Sequence, residues 1–509
     1  MIFKSTLVIS FFSVLSRISG YIRDVFFANF LGTGIYNDIF QACFRIPNFF
    51  RVIIVEGNTN LAFVPLFKSF EKNKDSHIED KRKFSSNLFF LILLFLLPLF
   101  LLIEIFMPQV INLITPGFKN LESFELVISV SRIVFPYSIF IIISSILIGI
   151  LNSDSKFTIT SSIHILFNII ICFTLYAYGG DKIDSIIAIS WSCIVSGILQ
   201  FIILFFAIDK KLRIFLLIPK FTQEIKKFLL VLFPSFLIFF IFQINKFFVY
   251  YLASYEVGAI SYIYFAERVS QLPMGIISLS ITTAMLPIIS SYIQKKNLTE
   301  AKIYFEKAFQ YIMFFMIPSA FVFYFYSEIF ISSLFEHGQF TKQSTNNTSN
   351  VLEIFSIGLP AYACIPLFTQ LFILNNKIKL YLVINIVISI TSLLVMTHLS
   401  KINNYLGISQ GLVFSYWALF ITVVIYLIYT KFIFLKLKVL YSILSMIFSS
   451  VIMIGSIKLF LYTFELPQIL SLFFMLITGV ITYLIVIYYL NYEIMKPFFE
   501  IILKNKKKT

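Results

Sequence analysis

The chain has 509 residues, of which 59% are apolar and only 13% charged, and 40 Lys and Arg against 25 Asp and Glu leave a net charge of +15. With a mean hydropathy of +0.92, this composition excludes a soluble globular fold and predicts an all-α polytopic membrane protein. The positive charge needs no nucleic acid to account for it.

Spans of about 17 to 25 apolar residues or longer recur in chain order at 5–30, 36–67, 84–107, 123–151, 157–178, 184–208, 228–253, 258–290, 308–335, 350–374, 380–399, 406–430, 439–462 and 467–492. That makes about 14 transmembrane helices. The first reads as a retained helix and not a cleaved signal peptide, because Arg17 interrupts it and no small-residue cleavage site follows. The loops on the side of the N-terminus carry Lys68, Lys72, Lys74, Lys81, Arg82 and Lys83, then Lys210, Lys211, Arg213, Lys220, Lys226 and Lys227, then Lys295, Lys296, Lys302 and Lys307. The opposite loops carry Lys119, Lys182, Lys342 and Lys401. An even number of spans and this asymmetry predict that both termini are cytoplasmic. The tail lysines Lys504, Lys506, Lys507 and Lys508 fit that side.

The chain repeats itself at a shift of about 222 residues: Ala62-Phe63-Val64-Pro65-Leu66 is echoed by Ala284-Met285-Leu286-Pro287-Ile288, and Gly117-Phe118 by Gly338-Gln339-Phe340. Pro136 precedes Asn152 by sixteen residues, as Pro360 precedes Asn376. Matches in chain order at nearly one offset predict a duplicated bundle. Two six-helix lobes, 1–215 and 216–432, would be followed by two additional helices in 433–495 and a basic cytoplasmic tail, 496–509. Substrate is then expected between the lobes near the membrane midplane.

Against this apolar background four arginines stand out: Arg17, Arg23, Arg51 and Arg268 lie within predicted spans. Inserting one arginine costs roughly 2.5 to 3.5 kcal/mol even on a lenient scale, so four cost about 10 to 14 unless something answers them. The candidates are a water-filled cavity, the acids Asp24, Asp38, Glu56 and Glu267, or a multiply charged anionic substrate. Arg17, Gly20 and Asp24 share one helical face, and Arg45, Asn48 and Arg51 are spaced three apart. Pro47 and Gly57 can loosen the second span near Glu56, and Gln271 and Pro273 follow Glu267 and Arg268 in the eighth. The plainer reading is a set of intramolecular Arg-carboxylate pairs locking helices together. The number of arginines, alongside Ser16, Asn48 and Ser261, exceeds what packing needs.

The stretch Ser16-Arg17-Ile18-Ser19-Gly20-Tyr21-Ile22-Arg23-Asp24, then Asp38, Arg45-Ile46-Pro47-Asn48-Phe49-Phe50-Arg51, Glu56-Gly57 and Ala62-Phe63-Val64-Pro65 resembles the N-terminal signature of the MurJ (MviN) lipid II flippases of the MOP exporter superfamily. Thr115-Pro116-Gly117-Phe118, Phe135-Pro136-Tyr137, Ile150-Leu151-Asn152, Ala266-Glu267-Arg268, Leu272-Pro273, Leu286-Pro287 and Gly338-Gln339-Phe340-Thr341 extend the resemblance over nearly the whole chain. It implies a transporter of undecaprenyl-pyrophosphate-linked peptidoglycan precursor in the bacterial inner membrane, working by alternating access. Arg17, Arg23, Arg51 and Arg268 would then be cavity arginines. Ser16, Asp24, Asp38, Arg45, Asn48, Glu56, Ser261 and Glu267 would complete the substrate-binding set. The resemblance further implies a lipid-tail groove at about 439–492 and, as partners, membrane lipids and other cell-wall synthesis proteins. No catalytic residue, cofactor or metal is expected. Arg45 stands where Lys is usual in the family, Val52 where a second consecutive Arg is usual, and Glu267 where Asp is usual.

The chemistry agrees with a pyrophosphate, because guanidinium binds such oxygens in bidentate fashion where Lys offers a point charge. A flippase for another polyprenyl-pyrophosphate-linked oligosaccharide and a non-transporting cell-wall scaffold remain alternatives. A cationic-drug extruder should be rich in acids and poor in arginine, the reverse of this chain. The cysteines Cys43, Cys172, Cys193 and Cys364, scattered without paired spacing, read as small core residues. His164 reads as a satisfied polar residue, Lys246 as either cavity-lining or locally paired, and Lys458 as snorkelling.

Overall fold

Apolar runs of this length give the backbone no hydrogen-bond partner but itself, so each must close as helix. The computed structural model describes residues 2–52, 59–70, 77–120, 122–432, 437–464 and 466–496, and among these no strand occurs. In chain order the helices are α1 (Ile2–Leu31), α2 (Ile35–Phe50), α3 (Thr59–Ser69), α4 (His77–Ile105), α5 (Met107–Ile114), α6 (Phe124–Val134), α7 (Tyr137–Ser153), α8 (Phe157–Tyr178) and α9 (Lys182–Ala207). They continue as α10 (Gln223–Ala253), α11 (Ala259–Pro273), α12 (Leu279–Gln294), α13 (Leu298–Phe335), α14 (Lys342–Leu374), α15 (Ile378–Tyr429), α16 (Leu437–Thr463) and α17 (Gln468–Leu490). Each expected span coincides with one helix, with consecutive helical segments, or with part of α15. That helix, at 52 residues, carries two spans joined across non-helical Asn403 and Asn404. Among the described residues ten helical stretches are long and apolar enough to cross a membrane, two of them composite: Phe124–Ser153 runs through α6 and α7, and Ala259–Gln294 through α11 and α12.

The chain forms two compact units, one of Met1–Ser261 with His337–Phe340 and the other of Tyr262–Glu336 with Thr341–Thr509. In the first, α1 packs on α8, α8 on α9, and α7 on α3 and α9, while α10 packs on α3. Phe63 and Phe67 of α3, Phe84 and Leu88 of α4, Ile146 and Leu147 of α7, and Ile225 and Phe228 of α10 form one buried cluster. At roughly 1.5 to 3 kcal/mol per buried side chain in water such a cluster would dominate a soluble protein. Within lipid the gain is close packing instead.

In the second unit α14 packs between α13 and α15, and α16 and α17 pack on each other and on α13. Polar contacts fix the pair there: Tyr326 donates its hydroxyl to the Ile454 carbonyl at 3.1 Å and Tyr483 to that of Phe314 at 2.8 Å. Tyr326 is also where α13 kinks, with φ −130° and ψ 25°. The α16 face toward its neighbours carries buried Ser442, Ser445, Ser449 and Ser450. Each hydroxyl donates to a carbonyl three or four residues back in α16, at 2.7 to 2.9 Å.

The sequence repeat has a backbone counterpart. The turn after α7 closes with Ser155 at φ 60° and Lys156 N–H donating to the Leu151 carbonyl; that after α14 closes with Asn376 at φ 54° and Lys377 N–H donating to the Phe372 carbonyl. The second span opens into a π turn at Arg51 and Val52, and the eighth into a π segment at Met274–Ser278. Both follow a proline, Pro47 and Pro273, as a missing backbone N–H invites.

Candidate substrate site

In the first unit the cations arise from α1 and the end of α2. Arg23 is held on two sides: its Nε and Nη2 donate to Asp24 Oδ1 at 3.1 and 2.8 Å, and its Nη1 to Asn168 Oδ1 of α8 at 3.1 Å. The Arg23 side chain is 14% exposed and that of Asp24 4%. Arg23 and Asp24 are chain neighbours, so their ion pair locks no two helices together. The link between α1 and α8 runs through Asn168, whose Nδ2 donates to Ser19 Oγ at 2.9 Å and to the Ser16 carbonyl at 3.4 Å. Arg17 is exposed on the same helix and Ser16 half-buried.

Arg51 is half-buried at the π turn, where its Nε and Nη2 both reach Asn48 Oδ1, at 3.0 and 2.8 Å. An amide oxygen orients a guanidinium without cancelling its charge. Arg45, one turn before Asn48, is only 6% exposed. It donates to Gln243 Oε1 of α10 at 2.7 Å and lies 5.4 Å from the Tyr250 ring centroid and 5.8 Å from that of Phe247. Arg45 thus joins α2 to α10, a packing contact as well as a charge.

Asp38 is fully buried. Its carboxylate accepts from Gly258 N–H at 2.5 Å, Ser261 N–H at 2.8 Å and Ser261 Oγ at 2.5 Å. It thereby caps the start of α11 from α2, meeting the orphan N–H groups and positive dipole end of that helix. Two of the expected site residues, Asp38 and Ser261, therefore bind each other. Glu56 lies outside the described residues.

The second unit carries Glu267 and Arg268. Gln271 Nε2 donates to Glu267 Oε1 at 2.7 Å, one helical turn on. The Arg268 guanidinium lies 4.7 Å from the Tyr264 ring centroid, one turn back. Glu267 and Ser270 share a small cavity with Phe355, Leu359, Tyr362 and Tyr416. The two tyrosine rings stack there at 4.4 Å.

Asn168 and Gln243, which touch Arg23 and Arg45, were not among the residues expected from sequence. The available signal was polarity, since each is an uncharged amide in an otherwise apolar span. An amide alone is too common to single out without knowing which helix it faces.

The family described as Lipid II flippase MurJ matches residues 27–480. A "Probable lipid II flippase MurJ" of Rickettsia prowazekii (strain Madrid E) is 32% identical over 430 residues, covering 82% of this chain and 83% of its own. One of Rhizobium tropici is 31% identical over 357 residues, covering 69% of this chain and 66% of its own. Among solved structures, "Lipid II flippase MurJ, inward closed conformation" superposes with a TM-score of 0.81 at 26% identity, over 96% of this chain and 100% of that one. An inward-facing multidrug resistance MATE transporter of the MOP superfamily shares the fold, with a TM-score of 0.64 at 15% identity over 82% of this chain and 96% of its own. The match over most of the chain, its multi-pass helical architecture and the arginines retained in apolar helices converge: this chain belongs to the MurJ lipid II flippase family.

Proposed function

We propose that this chain flips lipid II, the undecaprenyl-pyrophosphate-linked peptidoglycan precursor, from the cytoplasmic to the periplasmic leaflet of the bacterial inner membrane by alternating access. One observation carries the reading of the site: Arg23 and Arg51 sit in helices of a MurJ-family chain with their forks oriented by amide oxygens of Asn168 and Asn48. Guanidinium groups so oriented suit the oxygens of a pyrophosphate. Arg17 and Arg268 supply further positive charge. The halves 1–215 and 216–432 are the alternating elements, favouring different arrangements with and without the anion. Helices α16 and α17 accommodate the polyprenyl tail. Both termini face the cytoplasm, in keeping with the loop charges, and other cell-wall synthesis proteins are partners. The membrane acts as solvent for the tail, and the chain performs transport without bond-making.

The test is rescue of a conditionally flippase-depleted bacterium, scored by access of periplasmic reagents to the lipid-linked precursor. The parent chain should restore access. Arg23→Lys and Arg51→Lys keep charge but lose the fork, and each should reduce flipping at least about tenfold at normal expression. Arg132→Lys serves as control, because that side chain is 47% exposed and 4.0 Å from its nearest ion-pair partner, Glu104; it should flip as the parent does. Failure of the parent to rescue would remove the transport reading, and full activity of both lysine variants would return the arginines to packing roles.

A further inference from the structure

Asn168 stands at the junction of two tasks. Its carbonyl oxygen lies 3.1 Å from Arg23 Nη1, and its amide nitrogen 2.9 Å from Ser19 Oγ and 3.4 Å from the Ser16 carbonyl. The partners fix which way the amide points, since turning it over would set an NH2 against a guanidinium and a carbonyl against a carbonyl. Asn168 is 5% exposed, so water competes little for these contacts.

We propose that Asn168 is a positioning residue for the anion site, holding the Arg23 guanidinium by one edge so that it keeps its orientation when a diphosphate replaces Asp24 at another. The inference rests on the reading of Arg23 as a pyrophosphate ligand. Its physical basis is the difference between Asp24 and Asn168 as partners of Arg23. Asp24 brings a full negative charge, and an incoming phosphate repels it while competing for the same N–H groups. Asn168 is neutral, so it can remain bound throughout and leave the guanidinium charge for the substrate. A carboxylate at this position would cancel that charge, and an apolar side chain would release the fork. An amide avoids both. Since it comes from α8 while Arg23 comes from α1, the geometry of the fork depends on the packing of these two helices.

The experiment uses the purified full-length chain and compares binding of undecaprenyl pyrophosphate with that of undecaprenyl monophosphate. Asn168→Leu should weaken pyrophosphate binding about tenfold and lower the preference for pyrophosphate over monophosphate. The near-isosteric Asn168→Asp, which should fold even if the leucine variant does not, should weaken binding as well, because it neutralises Arg23. Cys172→Ala, one turn along α8, should bind as the parent does. In a double-mutant cycle, Asn168→Leu should add little once Arg23→Lys is present. A helix-packing role alone would lower thermal stability, leave the preference between the two lipids unchanged, and make the two substitutions multiply. Either that pattern, or parental binding by Asn168→Asp, overturns the proposal. If the parent itself shows no preference for pyrophosphate, the reading of the arginine site fails first and this inference with it.

Discussion

Asp38 shows how far one buried carboxylate can organise the start of a helix. It takes three hydrogen bonds from Gly258 and Ser261 while fully buried. Asp38→Ala would strand those donors, and with about 1 to 3 kcal/mol at stake for each unmet buried group we expect a loss of roughly 3 kcal/mol, read as a drop in apparent Tm in detergent. Asp38→Asn keeps one acceptor but turns an NH2 toward one of the donors, and should lose about half as much. Equal stability of Asp38→Ala and the parent would contradict the capping role. From sequence, Asp38 and Ser261 could be listed but not paired, because their bond joins residues 223 positions apart. The arginines were legible because charge within an apolar span is costly wherever it folds. The amides that orient them were not, because nothing in a single span says which neighbour it meets.

At the scale of elements, two glycine turns of the repeat make close approaches to helix ends. Gly338 has φ +58°, and a Cβ there would fall 2.3 Å from Asn29 Oδ1. Gly117 donates its N–H to Ser254 Oγ at 3.0 Å, and a Cβ there would fall 2.3 Å from the Ser254 carbonyl oxygen. Gly338→Ala meets a left-handed backbone, the Asn29 side chain and the Asn29 carbonyl at 2.4 Å, and Gly117→Ala the backbone of Ser254 and Tyr255, which cannot swing aside. Each should cost about 2 kcal/mol, measured as lowered Tm and, for Gly338→Ala, also as faster amide exchange of Gln339, whose N–H donates to the Asn29 carbonyl at 2.9 Å. Unchanged Tm in both would mean that the turns yield more easily than their contacts suggest. The helices themselves were legible from hydropathy, but their interruptions less so. Pro47 pointed to a loosening of the second span, whereas the π segment after Pro273 was not read from it and the break at Tyr326 falls in a run of aromatics with no sequence signal.

For the whole molecule, the alternation of basic and nearly uncharged loops gives a direct test. Single cysteines at Lys220 and at Lys119 or Lys342, all exposed positions, should be labelled from opposite sides of the membrane, Lys220 from the cytoplasm. Labelling of all three from one side would overturn the fourteen-span topology. The all-helical, multi-pass character was readable in the sequence, because hydropathy survives any packing. The compact units were less so: the repeat divides at about residue 215, while packing keeps the chain to Ser261 in the first unit, since α10 packs against α3, α5 and α2.

The serine face of α16 bears on the order in which the chain can be made. Polar side chains ordinarily burden a helix that must enter lipid before its neighbours have arrived. Here every hydroxyl of Ser442, Ser445, Ser449 and Ser450 already donates within its own helix, so these four serines carry no unmet donor across the bilayer while α16 waits. What the serines then offer α17 is small size, which lets two backbones come close. The serine donors are thereby settled before the neighbours arrive, and docking adds other hydrogen bonds, such as those of Tyr326 to the Ile454 carbonyl and of Tyr483 to the Phe314 carbonyl.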